Sequence, residues 1–139
     1  MSHWSQGWYH PKNPKKYVGK SPIRYLSSWE LAFMRLCDTH PNILHWASET
    51  VSIPYENPLT KKQSMYIPDF LIVYIDKNNK KFAEMIEIKP SKEANIKEAK
   101  TTYDKATLAV NLCKWEAAKH WCKMHGVGFR VMTEKDLFR

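Results

Sequence analysis

Cysteine is scarce: Cys37, Cys113 and Cys122 are the whole complement, an odd number that makes no disulfide framework. The expectation is a reducing, intracellular setting. No apolar run approaches the ~20 residues that span a bilayer, so no membrane-crossing segment is expected. The opening Met1-Ser2-His3-Trp4-Ser5-Gln6 lacks the basic-then-apolar pattern of a secretory leader. Internal repeats and low-complexity tracts are missing too, and with them any reading as a repeat array. Acid is the other shortage: 14 Asp and Glu face 22 Lys and Arg, leaving a net charge of +8. Such an excess favours a polyanionic partner through long-range attraction and counterion release. Charge alone does not choose among DNA, RNA and an anionic membrane surface.

What is present suffices for one folded unit. The 139 residues fit a single domain, and an apolar content of 43% with six Trp supplies a core. Residues 1–24 stand apart from the domain expected over 25–139. They hold Lys12, Lys15, Lys16, Lys20 and Arg24, no acid, and the aromatics Trp4, Trp8, Tyr9 and Tyr17. Pro11, Pro14 and Pro22 discourage a continuous helix there. The segment reads as an extended arm that either packs along the domain or lies on a nucleic acid. In the second case its rings would stack on bases while its lysines track phosphates.

Ser27 or Ser28 can cap a helix carrying Trp29, Leu31, Phe33, Met34 and Leu36, ending before Pro41. Residues 43–55 read as a strand, broken by the loop 56–62. The near-continuous apolar run 66–75 suits a central strand covered on both faces. Asp76-Lys77-Asn78-Asn79-Lys80 has turn chemistry, and 82–89 supplies an antiparallel partner. From Glu93 to about His125 apolar residues recur at helical spacing, as one long helix or two joined near Asn111. Gly126 stops it, 127–132 gives a last short strand, and Thr133-Glu134-Lys135-Asp136 a capped turn. The expected fold class is α/β: a mixed central β-sheet flanked by helices.

The chemistry centres on Ile67-Pro68-Asp69 and, beyond seventeen intervening residues, Glu87-Ile88-Lys89. Side chains two apart on a strand share a face, so Glu87 and Lys89 project together. The turn pairs their strand with the one that follows Asp69, so two carboxylates and an amine converge beside the sheet. Hard oxygen ligands suit Mg²⁺, and the Ile88 backbone carbonyl is a candidate further ligand. A metal so held can polarise a phosphate and lower the pKa of an attacking water. The Lys89 ammonium can orient that water or offset charge building in the transition state.

On these residues the chain resembles the PD-(D/E)XK nuclease superfamily, whose motif stands here as Pro68-Asp69 … Glu87-Ile88-Lys89 between strands. The resemblance implies a restriction-endonuclease-like core and an acid on the preceding helix, a role that Glu30 fills. Ser27 to Phe33, Tyr66-Ile67-Pro68-Asp69-Phe70 and Lys114-Trp115-Glu116-Ala117-Ala118 … Gly128-Phe129-Arg130-Val131-Met132-Thr133-Glu134 are similar to the branch holding TnsA-type transposon endonucleases and the head completion nucleases of T4-like phages. Small size and the aromatic, basic arm look more like the phage group. What the resemblance implies is hydrolysis of DNA phosphodiester bonds with Mg²⁺, for which Mn²⁺ substitutes, by Glu30, Asp69, Glu87 and Lys89, with Glu30, Asp69, Glu87 and the Ile88 carbonyl holding the metal. It also implies processing of packaged DNA ends before heads and tails join, in the host cytoplasm or on the virion, with phage head, portal or neck proteins as partners. A TnsA-like transposon endonuclease subunit and a non-catalytic DNA-binding or structural virion protein are the alternatives.

Other features have plainer readings. Glu84, three residues before Glu87, falls on the opposite strand face. Cys37-x-x-His40 and Cys122-x-x-His125 are of zinc-ligand type, but both cysteines sit in apolar helical contexts where free Cys packs as a small hydrophobe. Helix lysines are usually a solvated face. Among them Lys114 is retained as a weak nucleic-acid contact, beside the arm residues.

Overall fold

The computed structural model of the chain describes residues 5–137, so Trp4 lies outside the described residues. In chain order its elements are β1 (Gly7–Tyr9), β2 (Ile23–Tyr25), α1 (Ser28–Thr39), β3 (Ile43–Ser48), β4 (Ile53–Glu56), β5 (Gln63–Tyr66), β6 (Phe70–Ile75), β7 (Lys81–Ile88), α2 (Thr102–Met124), β8 (Gly128–Met132) and α3 (Glu134–Leu137). The central sheet has the order β3-β6-β7-β8. Its first two pairings are antiparallel and β7–β8 is parallel. A parallel pair needs a crossover, and α2 provides it. The sheet is therefore mixed and flanked by helices, as the sequence predicts.

Alternation along the strands sorts two apolar layers. Phe70 and Ile72 of β6 and Ile86 and Ile88 of β7 pack with Phe33, Met34 and Cys37 of α1 and with the fully buried Trp46. The opposite face presents Phe129 and Val131 to Trp115 and Ala118 of α2, beneath the β4–β5 ribbon with Ile53, Tyr55 and Tyr66. The β6–β7 turn closes as its composition predicts. Asp76 Oδ1 accepts from the N–H of Asn78 at 2.8 Å and of Lys80 at 2.9 Å, and Asn79 takes the left-handed conformation with φ 61°.

Three elements depart from the local reading. The run 66–75 is two strands, because Pro68 has no N–H for a ladder and the chain leaves strand geometry between Tyr66 and Phe70. The segment 43–55 divides at Glu49, whose φ of 51° turns the chain out of the sheet into the β4–β5 ribbon. The last long helix starts at Thr102, after Thr101, whose side chain accepts the Asp104 N–H as its cap, rather than at Glu93. Before it, Ser91–Glu93 form a single 3-10 turn, and the Asn95 side chain accepts the Lys97 N–H at 2.9 Å, a local bond that competes with helix formation. From there α2 is one uninterrupted helix, and the buried Asn111 is satisfied by donating its Nδ2–H to the Glu93 carbonyl at 3.1 Å.

The basic, aromatic segment, in its described part from residue 5, packs along the domain. β1 and β2 form an antiparallel ribbon, and Tyr9 and Tyr17 meet Trp46 edge-on at centroid distances of 5.9 and 4.7 Å. The fastening is Asp38, which is 0% exposed. It accepts from Tyr9 O–H at 2.6 Å and from the backbone N–H of Lys12 and Asn13 at 2.7 and 2.9 Å.

Candidate active site

The break at Pro68 places Asp69 just ahead of β6, and the β6–β7 register sets Phe70 against Ile86, so Asp69 meets the end of β7. Two reciprocal contacts tie them. Ile88 N–H donates to Asp69 Oδ2 at 2.8 Å, and Asp69 N–H donates to Glu87 Oε1 at 3.3 Å. Glu87 is 4% exposed. Lys89 follows the strand end on the same side, its Nζ 3.7 Å from Glu87 Oε2, with 28% of its side chain open to solvent. The structure thus brings Asp69, Glu87 and Lys89 together, with Glu87 buried, Asp69 half-buried beside it and Lys89 at the open edge.

Burial dominates the electrostatics. It pushes the Asp69 carboxyl well above the ordinary carboxylate range, and the negative charges of Glu87 and Glu30 push it further. The Ile88 N–H and Lys89 act against that rise. Glu87 is also raised by burial, against the easing effect of Lys89, Tyr66, the Asp69 N–H and Lys114. The Tyr66 hydroxyl lies beside Glu87 and favours its ionised form, but it stops short of a hydrogen bond and stays buried without a partner.

Glu30 occupies the third position of α1, where Ser27 Oγ accepts its N–H at 3.1 Å and its own Oε1 accepts the Leu26 N–H at 3.1 Å. This is a helix-capping arrangement close to a capping box. Glu30 also shares the field of the site: burial raises its carboxyl, with Glu49 and Glu87 adding to the rise and Lys89 opposing it. Glu30, Ile88 and Lys89 line one cleft of about 240 Å³ together with Leu26, Trp29 and Glu93. Among the described residues no three His, Cys, Asp or Glu side chains are grouped to hold a metal ion by themselves. The acids form a tight pair, Asp69 and Glu87, with Glu30 reaching them through its charge. Cys37 and Cys122, each buried in its own helix packing, are not brought together with His40 and His125.

The remaining sequence-derived residues divide by place. Lys12, Lys15 and Lys20 are exposed on the docked segment; Lys16 Nζ donates to the His40 carbonyl at 2.8 Å; Arg24 donates to Gln6 at 2.9 Å and lies 5.9 Å above the Trp8 ring. Lys114 stands close enough to the acid pair to ease the charge on Glu87. Glu84 faces away, joined to Arg130 at 3.1 Å. Sequence reasoning missed Tyr66, Glu49 and Glu93. Tyr66 ends β5, three residues ahead of Asp69, and strand alternation could have marked it, whereas Glu49 lies in a bend and Glu93 in a short 3-10 turn with no local signal.

Two comparisons bear on this site. The family described as TnsA-like endonuclease N terminal matches residues 40–134, which include Asp69, Glu87, Lys89 and Lys114. The chain is also similar to the head completion nuclease of Enterobacteria phage T4, at 38% identity over 138 residues, covering 91% of this chain and 89% of that protein.

Proposed function

Because the chain belongs to the TnsA-like endonuclease family, we propose that it is a phage DNA nuclease that cleaves phosphodiester bonds with a divalent cation and completes packaged heads. The observation that carries this reading is the close Asp69–Glu87 pair, tied through the Asp69 and Ile88 N–H groups, with Lys89 at its open edge. Two carboxylates held together in a partly desolvated place are common where charge serves chemistry rather than stability.

The donor set fits a hard cation. Asp69 and Glu87 offer carboxylate oxygens, and Asp69 Oδ1 accepts no hydrogen bond from the described residues. Mg²⁺ takes few protein oxygens and keeps several waters, which suits a pair better than a closed cage. Asp69, Glu87 and the Ile88 carbonyl would hold it, with Glu30 adding charge from α1. Once bound, such an ion supplies Lewis-acid chemistry, offsetting phosphate charge and making water more acidic. Lys89, held by Glu87 yet open to solvent, orients the attacking water or balances the charge that develops on the phosphate. Arm lysines Lys12, Lys15, Lys16 and Lys20, with Arg24 and Lys114, contact DNA phosphates and supply affinity without base readout. The role in heads places the protein in the host cytoplasm during assembly and on the virion, against head, portal or neck proteins.

The test is cleavage of linear and circular DNA with Mg²⁺, Mn²⁺ or EDTA, beside Asp69→Ala and Lys89→Ala. Metal-dependent cleavage that falls at least ~100-fold in both variants is expected. Equal degradation by wild type and variants would place the chemistry elsewhere. Cleavage that appears only with a partner subunit would favour a transposon-type endonuclease, and binding without cleavage a virion structural role.

A further inference from the structure

Lys114 differs from the other lysines of α2. Lys105, Lys119 and Lys123 are exposed, whereas Lys114 is half-buried. Its ammonium lies 5.8 Å from the ring centroids of both Tyr55 and Tyr66, which belong to the two strands of the β4–β5 ribbon. Aromatic faces of this kind hold a cation whose hydration is partly stripped. Yet Lys114 makes neither a hydrogen bond nor an ion pair with any described residue. Glu87, Asp69 and Glu93 act on it only through their fields, and Lys89 repels it.

Tyr66, whose hydroxyl lies beside Glu87, and Trp115 belong to the apolar cluster beneath the ribbon. A half-buried ammonium that no described acid pairs with keeps protons available for an acceptor-rich ligand. A phosphate diester is such a ligand, and ammonium groups serve phosphate as point charges. Lys89 and Lys114 both ease the charge on Glu87, so two cations stand within reach of the acid pair.

We propose that Lys114, seated over Tyr55 and Tyr66, is a second phosphate-contacting lysine of the reaction site, gripping the DNA phosphate beside the scissile one and setting the strand's register against Asp69, Glu87 and Lys89. The inference rests on the nuclease reading, and deepens it by giving the substrate strand a second fixed point. It assigns Lys114 to substrate positioning, distinct from the loosely held lysines of a solvated helix face.

The experiment compares the full chain with Lys114→Met, Lys114→Arg and the exposed control Lys119→Met, using a short DNA duplex. Binding in EDTA is followed across salt concentrations, and steady-state cleavage is measured with Mg²⁺. Lys114→Met should lower the slope of log affinity against log salt by about one unit and kcat/KM by roughly 10- to 100-fold. Lys114→Arg should recover most of both, and Lys119→Met should change cleavage by less than about 3-fold. Wild-type slope and cleavage in a folded Lys114→Met would overturn the proposal. So would a loss of cleavage with an unchanged slope, which would make Lys114 structural. Thermal melting checks folding, and Lys114→Gln replaces Lys114→Met if the latter does not fold. A wild type that cleaves nothing sinks the nuclease reading, while the EDTA binding slope still judges Lys114.

Discussion

Replacing Asp38 with alanine should undock the amino-terminal segment from the domain. The ionised carboxylate accepts three hydrogen bonds, from Tyr9 O–H and the N–H groups of Lys12 and Asn13, at 2.6, 2.7 and 2.9 Å. Hydrogen bonds to a charged group contribute about 1.5–3 kcal/mol each, but three on one carboxylate do not add fully. Lys12 and Asn13 are exposed, so their N–H groups regain water once the segment lifts. A net loss of about 3 kcal/mol follows, or roughly 10 °C in melting temperature for a domain of this size. Asp38→Asn keeps the shape and one acceptor and should cost about half as much. Burial works to raise the Asp38 carboxyl, but the bonds from Tyr9, Lys12 and Asn13 and the Lys16 charge outweigh it, and the net shift is downward. A carboxyl lowered by folding contributes stability that is fully present above its unfolded value near ~3.9, and this is lost as pH falls through the folded value. The melting gap between wild type and Asp38→Ala should therefore stay constant from about pH 5 to 8 and narrow below about pH 4. Thermal unfolding across pH, with hydrogen exchange at the Lys12 and Asn13 amides, reads both effects. A loss under about 0.5 kcal/mol with unchanged exchange would refute the fastening role, as would a gap that does not narrow in acid.

Two further outcomes concern β7 and its neighbour. Asp69→Asn removes one of two close acids that repel each other and leaves an amide able to face Glu87; in EDTA it should raise stability by about 1–2 kcal/mol while abolishing cleavage. Because folding raises Asp69 and Glu87 above their ordinary values, wild-type stability from this pair grows as pH falls from neutral through those raised values, and Asp69→Asn should flatten that rise. A melting temperature that drops in the variant would contradict the repulsion. Glu84→Gln breaks a half-exposed pair with Arg130 on the opposite face, so it should cost no more than about 1 kcal/mol and leave cleavage unchanged. A cleavage defect in a folded Glu84→Gln would show that both faces of β7 serve the reaction.

Much of the site was legible because its parts are close along the chain or follow a short-period rule. Glu87 and Lys89 share a side through strand alternation, and a turn with evident chemistry returns their strand to Asp69. Glu30 was legible only through the family resemblance; the structure adds its cap with Ser27 and its place in the cleft. Asp38 offered no such signal. It is an ordinary acid near the end of an apolar helix, and its partners lie 25 to 29 residues away. The division of 66–75 was missed because apolar content outweighed Pro68 in a reading by composition, whereas ladder hydrogen bonding gives the proline the deciding vote.

The sequence by itself determined the chemistry: which acids and which lysine could meet, the α/β class, and an excess of positive charge suited to a polyanion. Those follow from residue type, periodicity and turns, all of which act over a few residues. Tertiary structure alone decided the energetic state of those groups. Asp69 and Glu87 are raised because the folded chain around them excludes water. Lys114 leaves the solvated face of α2 because the β4–β5 ribbon lays Tyr55 and Tyr66 against it. The arm packs along the domain because the Asp38 carboxylate, buried under it, takes its hydrogen bonds among the described residues from that segment's donors. Desolvation and field depend on what surrounds a group in space, and chain neighbours carry no record of that.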